Sequence, residues 1–240
     1  MDYKNIKHKK ELINFKNKVL KDISDMLDLE INQNQKRAAN ITYWLRDYNN
    51  YLKQEKTFSP KYLPTYPYGS IVELNLGFNV GNEFGGLHYG IVMNTKDSKY
   101  NPNLTIIPLS SMKEGKSTQD LHPTEIFLGN EFYLLVSTKI DTLLGQIGDT
   151  LTELESQPTI DKGKVMILQS DIAYLTKCQT RFLKMKYGSY ALTSHITTVS
   201  KMRVCDPLTT KEPLSGIQLT TISMKKISDR VRRNTCTYEK

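Results

Sequence analysis

The segment YGSIVELNLGFNVGNEFGGLHYGIVMN, residues 68–94, sets two short apolar runs on either side of a glycine-rich loop. SIVELNL (70–76) and YGIVMN (89–94) are rich in β-branched residues and read as strands. Between them Gly77, Gly81, Gly85 and Gly86 permit positive φ and close approach of backbone to backbone. The loop ends on His88, whose imidazole, with an ordinary pKa near 6.5, is suited to act as acid or base at neutral pH.

Further strands follow. LTIIPLS (104–110) and EIFL (125–128) continue the pattern, and SYALTSHITTVSKMRV (189–204) resumes it after a long interruption. Short β-rich runs separated by turn residues predict a small barrel or sandwich. The interruption is helical. Val136, Ile140, Leu143, Ile147, Leu151 and Leu154 advance in steps of four and three. Val165, Leu168, Ile172, Leu175 and Phe182 do much the same, giving a seam on each of two helices. With a turn at SQPTIDKG (156–163), this predicts a helical hairpin inserted at about 131–187. Gly145 and Gly148 weaken its first helix and permit a kink.

Before residue 68 the chain is helical again. Leu12, Phe15, Val19, Ile23, Met26 and Leu27 form one stripe, and Ile41, Trp44, Leu45, Tyr48, Tyr51 and Leu52 another. The polar INQNQ (31–35) divides them, so residues 1–57 read as an antiparallel helical hairpin. FSPKYLPTYPYG (58–69) carries three prolines and cannot continue a helix; residues 58–67 read as a linker. IQLTTISMKKISDRVRR (217–233) is expected as a basic amphipathic C-terminal helix. The expected fold class is α+β, with the barrel domain over 68–240.

Composition narrows the function. No apolar run approaches the roughly 20 residues that span a bilayer, and the basic N-terminus lacks the apolar core of a secretory signal. Three widely spaced cysteines, Cys178, Cys205 and Cys236, with no CxxC, argue against a disulfide framework or zinc site, and a reducing cytoplasm is expected. The net charge of +8, with interleaved tyrosines, suits either a nucleic-acid partner or a solvated lysine-rich surface. Seven lysines between Lys4 and Lys21 admit the same two readings. No tight cluster of carboxylates, histidines or cysteines suggests a metal, and no cofactor is expected.

Three stretches, in order, resemble the MazF/PemK family of toxin ribonucleases. They are the opening segment 68–94, LTIIPLSS (104–111) and SHITTVSKMRV (194–204), with PLSGIQLTTISMKKISDRV similar to that family's closing helix. The resemblance covers roughly 68–129 and 188–233; the two helical hairpins lie outside it. It implies a small SH3-like β-barrel of the MazF/PemK/CcdB type, usually a homodimer restrained by an antitoxin protein. It implies a metal-free endoribonuclease, an mRNA interferase cutting single-stranded RNA to a 2′,3′-cyclic phosphate and a 5′-hydroxyl.

Residue by residue, the resemblance puts His88 where the family has an arginine or histidine, and Ser110 at the position that contacts the scissile phosphate, with Ser111 beside it. Histidine departs from the commoner arginine and shifts the expected role from charge clamp towards proton transfer. Gly85 and Gly86 belong to a loop expected to fold over RNA with amides facing phosphate, held by Glu83. His195 takes the place of a family glutamine, and is a candidate second acid or base beside His88. Thr197 takes the place of a family arginine, which removes a cation; Lys201 and Arg203 are the cations expected to hold RNA phosphates. His122 is a further candidate for the groove. The loss at Thr197 keeps a second reading open: a catalytically weakened barrel that binds nucleic acid or a protein target such as gyrase.

Overall fold

The structure, a computed structural model, describes residues 4–157, 159 and 161–236 of the 240. It divides into two compact units, Met1–Thr57 and Phe58–Lys240.

The first unit is a pair of helices, α1 (Ile6–Gln33) and α2 (Gln35–Gln54). Asn34 separates them. Its φ of −151° is extended, and its Oδ1 accepts the Arg37 N–H at 3.1 Å, an N-cap that starts the second helix as the first ends.

The second unit joins an antiparallel sheet to three more helices. In chain order these are β1 (Ile71–Asn75), β2 (Leu87–Val92), β3 (Asn103–Ser111), β4 (Glu125–Phe127), α3 (Glu131–Glu155), α4 (Lys162–Phe182), β5 (Ser189–Leu192), β6 (Thr197–Ser200), β7 (Val204–Asp206) and α5 (Thr221–Thr235). The strands follow the order β4-β5-β3-β2-β1-β7. The long β3 serves two partners along one edge, β6 through Asn103–Ile106 and β5 through Leu109–Ser111. Among the described residues this is a seven-stranded open sheet in an α+β fold.

Alternation along the strands builds two interiors. Ile71, Ile91, Ile107, Leu109 and Ala191 face Phe132, Val136 and Ile140 of α3, Leu175 and Phe182 of α4, and Ile227 of α5. Val72, Leu74, Val92, Ile106 and Val199 form the opposite face with Tyr66, Leu76 and the half-buried Phe84. Covering both faces explains why IVEL of β1 is buried throughout rather than alternately.

The details depart from the sequence reading at several points. α3 runs as one helix through Gly145 and Gly148. Pro158 and Ile160, in the expected turn 156–163, lie outside the described residues. The proline-rich stretch 58–67 ends inside the second unit: Tyr66 is buried and donates its hydroxyl to the Pro207 carbonyl at 2.8 Å. The expected helix 217–233 begins only at Thr221, capped by Thr220. Ile217 and Leu219 alternate into the core as extended chain while Gln218 bridges Ser70, so burial overrides the helical pattern there. The run 189–204 is broken by two 3₁₀ turns, Thr193–His195 and Lys201–Arg203.

Candidate active site

The loop between β1 and β2 owes its shape to its glycines. Gly86, at φ 92°, donates its N–H to the Gly77 carbonyl at 2.6 Å, and Leu76 donates to the Gly86 carbonyl at 2.8 Å. Gly85 sits so close to this crossing that a Cβ there would lie 2.5 Å from the Gly77 oxygen. The clasp is Asn79, whose Nδ2 donates to the Phe84 carbonyl at 2.9 Å. Glu83, expected to hold the loop, is exposed at the rim of a cleft instead. The Gly86 amide, expected to face phosphate, is used inside the loop. Gly85→Ala forces the crossing apart. The expected result is a fold that persists by far-UV circular dichroism with a loop opened to proteolysis; a variant as resistant as the wild type contradicts this account of the loop.

The folded loop carries Phe84 onto the sheet. Its ring centroid lies 4.3 Å from that of His88 and 5.7 Å from that of His195. His88, in β2 opposite Leu74, is half-buried. Burial holds its imidazole below the ordinary 6.5, and a hydrogen bond with the Gly85 backbone opposes this in part. A neutral imidazole at pH 7 is the form that accepts a proton.

His88 and Ser110 line one cleft of ≈ 260 Å³, together with Ser111, Glu73, Tyr89, Arg181 and Lys184. The pairing of β2 with β3 brings them there: Tyr89 is opposite Leu109, one residue along from each. The α4 end of the inserted hairpin supplies the cations. Arg181 donates from Nη1 to Glu73 Oε2 at 2.9 Å, and its Nη2 lies 3.6 Å from Asp206 Oδ2. Glu73 and Asp206 are partners across β1 and β7. Burial pushes both carboxyls up, Asp206 to about 7 with the charges of Glu212 and Glu73 adding to the effect.

A larger cleft of ≈ 530 Å³ is lined by Phe84, whose ring meets that of His88 in the first. Phe84, Glu83, His195, Thr197 and Arg203 line it. Arg203 donates to the Leu76 carbonyl at 3.3 Å. His195 meets the Phe84 ring that also meets His88, and its Nδ1 lies 3.2 Å from Ser194 Oγ. Ser194 accepts from Thr124 at 3.3 Å, and Thr124 Oγ1 lies 2.8 Å from His122 Nδ1. Two hydroxyls thus link the two histidines.

Lys201 must be corrected. Expected on RNA phosphate, it is 0% exposed, paired with Asp97 Oδ1 at 2.7 Å, donating to the Ser98 carbonyl at 3.0 Å and lying over the Tyr66 ring. A cation so enclosed holds the core and lines neither cleft. The residues that sequence reasoning missed are Glu73, Arg181, Lys184, Phe84 and Asn79. One signal was available: Glu73 interrupts an apolar strand at a position whose side chain faces the helices.

Among the described residues, no group of three or more metal-ligating side chains is poised to hold a metal ion. No helix there is long and apolar enough to cross a membrane. No protein-family model matches the chain, and no curated protein matches it.

Proposed function

We propose that the chain is a MazF/PemK-type toxin endoribonuclease that cuts single-stranded RNA without a metal, its sheet curled as that family's SH3-like barrel. The observation that carries the reading is the shared cleft: His88 and Ser110, distant in sequence, line one space with Arg181 of α4 and with Lys184 just beyond its end. RNA supplies its own nucleophile. Neutral His88 takes the proton of the 2′-hydroxyl, and the oxygen attacks the adjacent phosphorus. Ser110 donates to a non-bridging oxygen as charge builds there. Lys184 supplies positive charge that Thr197 lacks, beside an Arg181 already paired with Glu73. The phosphorus–oxygen bond to the next nucleoside breaks, and water in the open cleft protonates the leaving 5′-oxygen. Phe84 offers a stacking surface for an unpaired base, and Arg203 a charge for the backbone. The cytoplasm, a homodimeric state and an antitoxin partner belong to the same proposal.

Two cation positions are altered, Thr197 by type and Lys201 by burial. They favour, as the second reading, a barrel that binds nucleic acid or a protein such as gyrase without cutting. The experiment incubates the purified chain with a long unstructured RNA, and with DNA of the same sequence, in EDTA between pH 6 and 8. Fragmented RNA beside intact DNA is the expected result. RNA bound but intact selects the second reading; RNA neither bound nor cut removes nucleic acid from the account.

A further inference from the structure

The N-terminal hairpin has almost no interior of its own. Among the described residues of its two helices, only Ala38 and Ile41 are buried. Yet Leu12, Phe15, Val19, Met26 and Leu29 of α1 follow one another in steps of three, four, seven and three, the a and d spacing of a coiled coil. They are exposed, Phe15 to 62% and Leu29 to 63%. On α2 the stripe that begins at Ala38 and Ile41 continues as exposed Leu45, Tyr48 and Leu52. An apolar stripe of this length on two helices marks a contact surface.

Charge identifies what covers it. The first half of α1 carries Lys9, Lys10, Lys16, Lys18 and Lys21 against one acid, Glu11. The second half carries Asp22, Asp25, Asp28 and Glu30, with no lysine or arginine from residue 22 to 33. A surface with one basic and one acidic half is self-complementary under two-fold symmetry, provided the helices run antiparallel. Placing the axis between residues 20 and 21 sets Leu12 level with Leu29, Phe15 with Met26 and Val19 with Asp22, and brings Lys9 beside Glu30 and Lys18 beside Asp25 on the flanks. Apolar side chains meet apolar ones in the two outer layers, cations meet anions along the flanks, and Asp22 enters the central layer beside Val19 as a polar position that fixes the register.

We propose that α1 pairs antiparallel with α1 of a second copy of this chain, so that two hairpins close into a four-helix bundle. This contact stands apart from the ribonuclease reading, because neither cleft contributes to it. Sedimentation velocity of the full chain at micromolar concentrations tests it, with circular dichroism to confirm that each variant keeps its helices. The wild type is expected to sediment as a dimer that weakens as salt rises. Phe15→Glu with Met26→Glu is expected to raise the dimer Kd by at least about 10-fold, by burying charge at the seam. Lys18→Glu alone weakens the dimer, and Lys18→Glu with Asp25→Lys restores it, since the two share one flank of the antiparallel seam. A monomeric wild type overturns the proposal, as does a dimer indifferent to Phe15→Glu with Met26→Glu. A charge swap that fails to restore the Lys18→Glu dimer also overturns it. A monomer whose Lys18→Glu variant loses RNA affinity overturns it too, and assigns the basic half to nucleic acid instead.

Discussion

His88→Ala is expected to lower the rate of the proposed RNA cleavage by about 10²- to 10⁴-fold, the usual worth of a positioned proton acceptor, and to leave RNA affinity within a few fold. Substituting the acceptor removes an interaction made as the 2′-hydroxyl loses its proton, so kcat falls and KM does not. His88→Asn separates chemistry from packing: it retains a polar group near Gly85 and is expected to be as inactive as the alanine variant. The pH dependence follows from the direction of the shift. Burial holds the imidazole below 6.5, so the neutral form predominates at pH 7 and activity falls as the solution is made acidic. Stability moves the same way. A histidine with a depressed folded pKa contributes stability above its unfolded value and loses it as pH falls through the folded one. A cleavage rate that drops between pH 7 and 8, or a His88→Asn variant with wild-type kcat, contradicts this role.

The second large effect is expected at Arg181. Arg181→Met keeps the aliphatic stem but strips the charge from between Glu73 and Asp206, two carboxyls whose side chains are only 8% and 5% exposed. Leaving buried carboxyls without their cation costs about 3–5 kcal/mol. The guanidinium is 37% exposed and partly screened, so the expected loss is near about 3 kcal/mol, a fall in Tm of about 6–12 °C. Both carboxyls have folded pKa values raised above their unfolded ones. Such groups favour the fold below the unfolded pKa, and that contribution is lost as pH rises through the folded value, about 7 for Asp206. Without Arg181 the raised values climb further, so the variant's deficit is small at pH 5 and large at pH 8. Adding Asp206→Asn removes one of the charges and is expected to recover part of the loss. Thermal melts at the two pH values check this; an equal deficit at both shows that Arg181 contributes packing alone.

Much of the architecture could be read from spacing. The paired helices before residue 58, the strands flanking the glycine loop and the inserted hairpin each occupy a stretch long enough for its period to show, and α1, α2, α3 and α4 fall where the apolar steps of three and four lie. The loop was legible for a different reason: closely placed glycines signal backbone crossing, and Gly85 meets the Gly77 carbonyl. The site was legible only in part. His88 and Ser110 stand one residue beyond the Tyr89–Leu109 pair, and it was the family resemblance, not a strand register, that put them at one site. Lys201 was misread because the 3₁₀ turns at Thr193–His195 and Lys201–Arg203 break the alternation of 189–204, and the face of a residue beyond such a turn cannot be counted from the strand before it. Arg181 and Glu73 are 108 residues apart and belong to no shared motif. Only the packing of α4 on the sheet joins them.

The central claim is that one imidazole and one hydroxyl act on the same phosphate, with RNA attacking itself. End-group analysis of the fragments tests it most directly, comparing the wild type with His88→Ala and Ser110→Ala. The account expects 2′,3′-cyclic phosphates and 5′-hydroxyls from the wild type, and neither end above background from the two variants. Fragments bearing 5′-phosphates, or the same ends released at wild-type rate by both variants, contradict it.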